Sequence, residues 1–226
     1  MSKETIQKIL EEILSDGDIA AVQDTLEFDT DRGIVPTICH IAGDTYAIAY
    51  SGTDDDGFLV TVGIETNGAI TDTLNDTLEF DPLVGKDPVI VHVSGDIYAI
   101  AYEGENSDGY LKTVEISENG DINNTVIDTI KFDSTKGDES DIIHVFGSIY
   151  ALVYSGEGDK GIVKTVEIAN NGSIIDPMVD AFEFSAICKN PCIVCVSNNL
   201  YGVAYRGSGN EGYFTTVHIA DNGDIY

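Results

Sequence analysis

A unit of about 52 residues recurs four times in this chain, and that recurrence restricts the fold more than any other feature. The copies are Asp44–Ile64, Asp96–Ile116, Ser148–Ile168 and Asn199–Ile219. Their first tyrosines, Tyr46, Tyr98, Tyr150 and Tyr201, are 52, 52 and 51 residues apart. Within each copy, a Tyr-aliphatic-Tyr run, a loop between two glycines and a Thr-Val-x-Ile run read as strand, turn, strand. An Asn-Gly pair follows each copy, at Asn67-Gly68, Asn119-Gly120, Asn171-Gly172 and Asn222-Gly223, and is a strong hairpin signal. Self-similarity at this period marks a fold stacked from supersecondary units, none of which buries its apolar face alone.

Each unit supplies an inner apolar strand such as Val89–Val93, the paired strands, and a polar outer strand such as Ile122–Phe132. A sheet buried on both faces at one edge and wet at the other is what a propeller blade requires. Residues 17–29, GDIAAVQDTLEFD, match the outer segments 68–81, 120–133 and 172–185. They are expected to complete the last unit, which runs out at Tyr226. The expected fold is therefore all-β: a four-bladed β-propeller of four-stranded antiparallel blades over 17–226, closed by an N-terminal outer strand. The units fall at about 30–81, 82–133, 134–185 and 186–226. Residues 1–16 are the one helical pattern, with Ile6, Ile9, Leu10, Ile13 and Leu14 on a single apolar stripe. Too short to stand alone, that helix is expected to dock on the β domain or to mediate self-association.

The repeats resemble the β-propeller superfamily over roughly residues 17–226. They also resemble tandem repeats of archaeal and bacterial cell-surface proteins, which carry similar Tyr-Ala-x-Ala-Tyr and Asp-Gly-Tyr runs. From this likeness a cell-surface or extracellular origin is an expectation, although the chain shows no signal-peptide pattern. Four units of this length are similar to hemopexin-type domains in number. The tryptophan and Asp-Ala-Ala pattern of that family are missing, so its heme and protease associations do not carry over.

Forty acidic against eleven basic residues give a formal charge of −29. Such a surface repels phosphate backbones and anionic lipid, which excludes nucleic acid as a partner. No apolar run is long enough for membrane insertion.

Two constellations are candidate metal sites. His40, His92, His144 and Cys195 hold one matched inner-strand position, and around a central axis they would suit Zn²⁺. The structural alternative is a histidine bonded to neighbouring backbone. Asp29, Asp81 and Asp133, with Ser185 as the fourth, recur between units and would suit Ca²⁺ at a channel mouth, or simply hold turns. The loop acids Asp54, Asp55 and Asp56 are consecutive, which does not give the alternating ligands of a calcium loop. Cys188, Cys192 and Cys195 have the spacing of radical S-adenosylmethionine enzymes, but the α/β pattern of those enzymes is absent. A local Cys188–Cys192 disulfide is one option, and four cysteines are too few to mark a disulfide scaffold. The pairs Tyr46/Tyr50, Tyr98/Tyr102, Tyr150/Tyr154 and Tyr201/Tyr205 are expected in the packing between blades. No Ser–His–acid set is legible. The sequence thus points first to a non-catalytic binding module for a protein or glycan ligand. A divalent-cation domain (Zn or Ca) is the alternative, and a glycan-active enzyme the second alternative.

Overall fold

The computed structural model describes residues 22–226; the expected helix 1–16 lies outside the described residues. Among these, fifteen strands form four antiparallel sheets. The first holds β1 (Ile34–Ala42), β2 (Thr45–Ser51), β3 (Gly57–Gly63) and β4 (Asp76–Asp81). The second holds β5 (Lys86–Ser94), β6 (Ile97–Glu103), β7 (Gly109–Glu115) and β8 (Asp128–Asp133). The third holds β9 (Asp138–Phe146), β10 (Ile149–Ser155), β11 (Gly161–Ile168) and β12 (Ile174–Ser185). The last holds three strands, β13 (Lys189–Ser197), β14 (Leu200–Arg206) and β15 (Gly212–His218). Each sheet is an up-and-down meander, and β1, β5, β9 and β13 neighbour one another in succession. This is a four-bladed β-propeller architecture, as the repeat implies.

The core lies between blades, and the period of two explains why. In β6, Tyr98, Ile100 and Tyr102 share one face while Ala99 and Ala101 share the other. The bulky face of each blade packs on the small-residue face of the blade before it. One cluster joins Ala47, Ala49 and Leu59 to Ile90, Tyr98, Ile100 and Tyr102. A second joins Ala99, Ala101 and Leu111 to Ile142, Tyr150, Leu152 and Tyr154. A third joins Ala151, Val153 and Val163 to Ile193, Tyr201 and Val203. The tyrosines of β6 and β10 are enclosed there, as expected.

The hairpin turns also tie the blades together. Thr61, Thr113 and Thr165 donate their buried hydroxyls to the carbonyls of Gly120, Gly172 and Gly223, at 2.6, 2.6 and 2.7 Å. Those glycines have φ of +91°, +87° and +91°, a region that favours glycine. At Gly57 the reason for glycine is space: a Cβ would fall 2.3 Å from the Phe80 ring.

The expected closing segment 17–29 lies partly outside the described residues. Among the described residues β15 has no fourth strand, and residues 22–29 of the expected closing segment form none. They lie instead against blade 1. The Asp24 carboxylate accepts from Ile70 N at 2.9 Å, and Phe28 meets Tyr50 edge-on at 5.0 Å. Among the described residues three junctions form, and the facing sides of blades 1 and 4 are uncovered. Ile38 is 59% exposed where the matched Ile90 is 7%, and Phe214 is 65% exposed where the matched Leu59 and Leu111 are 0%.

Candidate active site

Each inner strand enters its sheet through a bulge, with the register slipping between Ile34 and Thr37, Lys86 and Val89, and Lys189 and Cys192. A bulge re-aims the side chains beside it. The residues at this entry, Val35, Asp87, Glu139 and Asn190, have φ of 47°, 47°, 52° and 47°. Three of them precede a proline, which ordinarily forces an extended backbone. The left-handed form is strained for a β-branched valine, and such strain gathers at functional sites. All four residues line one cavity of about 260 Å³ together with Thr37, Pro88, Val89, Ser140 and Pro191. Residues from four different blades meet there, at one end of the inner strands.

The cavity carries two carboxyl groups. Burial, then the negative charges of Glu139 and Asp138, push the Asp87 carboxyl up, and Lys86 opposes them. Glu139 Oε2 accepts from the backbone N–H of Asn190 at 2.8 Å. The buried hydroxyl of Ser140 and Oδ1 of Asp138 make no hydrogen bond. Glu103, nearby in charge, is also raised, by burial first and then by Asp138. A carboxyl group biased towards its protonated form beside a second carboxylate is the equipment of acid–base chemistry.

The metal candidates from the sequence are not brought together. His40, His92 and His144 each donate from Nε2 to the carbonyl three residues on, Gly43, Gly95 and Gly147, all at 2.9 Å. Each ring leans on its own strand partner Tyr46, Tyr98 or Tyr150 at 5.0 Å. Cys195 points to Asn198 O at 3.9 Å in the same way. These groups serve their own hairpins. Among the described residues no three His, Cys, Asp or Glu side chains are grouped to hold an ion.

The repeated aspartates hold turns and tie blades. Asp81 accepts from Tyr102 Oη at 2.6 Å, from Lys112 Nζ at 2.9 Å, and from the N–H groups of Leu83 and Val84. Asp133 does the same with Tyr154, Lys164, Thr135 and Lys136. Asp29 accepts from the N–H groups of Asp31 and Arg32. In the first loop, Asp55 pairs with Arg32 at 2.6 Å and Lys86 at 3.1 Å. The optional Cys188–Cys192 bridge is not formed: all four cysteines are free thiols, and burial pushes the enclosed Cys188 up to about 12.

Asp87 and Glu139 escaped the sequence reading. Their signal was a position where the repeat loses its symmetry, with Val, Asp, Glu and Asn standing in turn before Pro36, Pro88, Ser140 and Pro191.

No protein-family model matches the chain, and no curated protein is similar to it in sequence. Among solved structures it is similar to an exo-β-1,3-galactanase of Phanerochaete chrysosporium, with a TM-score of 0.57 and 15% identity over 92% of this chain and 52% of that one. It is similar to an α-L-arabinofuranosidase of Lactobacillus brevis, with a TM-score of 0.54 and 10% identity over 85% and 69% of the two chains. A thermostable family-43 glycoside hydrolase gives a TM-score of 0.50 and 10% identity over 84% and 73%. The chain thus spans about half the length of the galactanase. At these identities the likeness establishes a shared propeller fold. The expectation of a non-catalytic binding module, with no enzyme activity, is corrected on this finding: solved structures that share the fold include several glycoside hydrolases.

Proposed function

We propose that this protein is a glycoside hydrolase acting on neutral glycans, with Asp87 as general acid and Glu139 as its carboxylate partner. One observation carries the reading: the two acids, from different blades, converge on a single cavity in which burial and charge raise Asp87. A raised carboxyl keeps its proton to higher pH and can give it to the glycosidic oxygen as the bond breaks. Glu139, anchored by Asn190 N–H, supplies the carboxylate that faces the sugar directly or through a water. The buried Ser140 hydroxyl in the cavity wall has no partner within the protein. The glycoside hydrolases that share the fold support the reaction class.

The formal charge of −29 disfavours sialic and uronic acids and favours uncharged sugars. At about 260 Å³ the cavity is smaller than a drug-sized pocket and suits one terminal sugar ring. The resemblance to cell-surface repeats fits a substrate met outside the cell.

The test is a panel of 4-nitrophenyl α-arabinofuranoside, β-galactoside and β-xyloside with β-1,3-galactan oligomers. At least one neutral substrate should turn over, with Asp87→Asn and Glu139→Gln each lowering the rate by ~10²–10⁴-fold. No turnover on the panel, or turnover that survives both substitutions, refutes the assignment.

A further inference from the structure

The two open faces are the cognate halves of a junction that the molecule already builds three times. Every internal junction has the same parts. A threonine hydroxyl reaches the glycine carbonyl of the next blade. A phenylalanine of the outer strand meets the second tyrosine, as in Phe80–Tyr102, Phe132–Tyr154 and Phe184–Tyr205 at 5.2, 5.0 and 5.4 Å. An aspartate at the head of the outer segment accepts from an isoleucine N–H, as Asp76, Asp128 and Asp180 do from Ile122, Ile174 and Ile225.

On blade 1 the outer-strand half of a fourth junction is already assembled, by Asp24 on Ile70 and Phe28 on Tyr50. Residues 22–29 there take the outer-strand place against blade 1 without pairing to a sheet. Blade 4 is the reverse: among the described residues its sheet has no outer strand. Its outward face carries Phe214, Val194 and Val196, which are 65%, 53% and 52% exposed. Thr216, matched to Thr61, Thr113 and Thr165, is exposed and makes none of their hydrogen bonds.

We propose that the fourth junction forms between two copies of this chain. Blade 4 of one copy docks on blade 1 of a second copy, and residues 22–29 of the second complete the sheet beside β15 of the first. The register follows β3 on β4, where Leu59 faces Leu78 and Thr61 faces Asp76. It sets Phe214 opposite Leu26, and Thr216 opposite Asp24 with its hydroxyl on the carbonyl of Gly68. An exposed sheet edge recruits a strand in this way, and a face-to-back contact of unlike surfaces is heterologous. Val35 and Asn190 already share one cavity, so the arc has nearly turned full circle. A second copy in the same plane would overlap the first, so the pair climbs along the axis and keeps the four-blade cavity.

Two copies at −29 each repel strongly at low salt. In 1 M salt the screening length falls to about 3 Å, which leaves the apolar faces to decide. Association should therefore strengthen as salt rises.

The experiment is sedimentation equilibrium of the full chain across a hundredfold range of concentration, in 0.05 and 1 M NaCl. The expected result is growth of the average mass to two or more times that of one chain in 1 M NaCl. Ile38→Asp and Phe214→Asp each destroy one half-junction at an exposed side chain, so each alone should stay at single-chain mass. Mixed one to one, they retain one good half apiece and should give a dimer that grows no further. Amide hydrogen exchange along β15 should slow at least tenfold on association of the unmodified chain. Single-chain mass for the unmodified protein under all conditions overturns the proposal, as does a mixture that stays at single-chain mass. Slow exchange of β15 that is independent of concentration also overturns it, because the chain's own N-terminal residues would then fill the edge.

Discussion

Ile38, Ile90, Ile142 and Ile193 occupy the same place in four successive inner strands, yet they are 59%, 7%, 6% and 6% exposed. Replacing each with alanine is therefore one perturbation applied to four environments. Loss of the buried carbons is worth ~0.8 kcal/mol apiece, or ~2.4 kcal/mol for a fully enclosed isoleucine. At Ile90, Ile142 and Ile193 the cavity left behind brings the cost to ~2–4 kcal/mol. At Ile38 roughly two-fifths of the side chain is covered and no closed cavity forms, so ~1 kcal/mol is expected. Urea unfolding followed by far-UV circular dichroism measures this as a shift in midpoint at constant slope. Low salt and low protein concentration keep copies apart. In thermal melts at ~2–4 °C per kcal/mol, Ile38→Ala should fall by a few degrees and the other three by roughly twice that or more. If Ile38→Ala costs as much as Ile90→Ala, the face of blade 1 is covered in the single chain, and the open junction is refuted.

The acids give two further predictions. A carboxyl whose folded value lies above its unfolded one weakens the fold once it ionises, so Asp87→Asn should melt higher than the unmodified protein at pH 7. That advantage should vanish below about pH 4, where both forms are neutral, and an equal or lower melting temperature at pH 7 would contradict the burial argument. Asp81 and Asp133 lie the other way. Burial pushes both up, but their tyrosine, lysine, threonine and backbone donors outweigh it and hold both below the usual range. Their contribution is complete above about pH 4 and is lost as pH falls through the lowered folded values. The double variant Asp81→Asn, Asp133→Asn should be less stable at pH 7 and show a shallower acid decline; an unchanged decline would show these clamps to be idle.

Much of this was legible from the repeat. Alternation in Tyr98–Tyr102 gave the strand and its two faces, the Asn-Gly pairs gave the outer turns, and the polarity gradient gave the blade order. These are local patterns, and local patterns survive folding well. Closure was not legible. Whether β15 meets residues 22–29 depends on how far three junctions bend the arc, and that is a sum over packing contacts rather than a property of either segment. The histidines misled for a related reason. Their equal spacing suggested a shared axis, whereas a bond to the carbonyl three residues on keeps each in its own turn. Asp87 was hidden by the proline rule, since a residue before Pro88 reads as extended chain and it is instead left-handed. The broken symmetry at Val35, Asp87, Glu139 and Asn190 is the sequence feature that bears on the proposed acids.

Hydrophobic cores that sit between blades divide the molecule unevenly. The two middle blades are gripped from both sides, while each terminal blade is gripped from one. Loss of structure in such a nearest-neighbour array begins at its rims and moves inward, like a fan folding from its outer ribs. The rims are also where a like surface can be added, so the same asymmetry that makes the ends fray first makes them the points of growth.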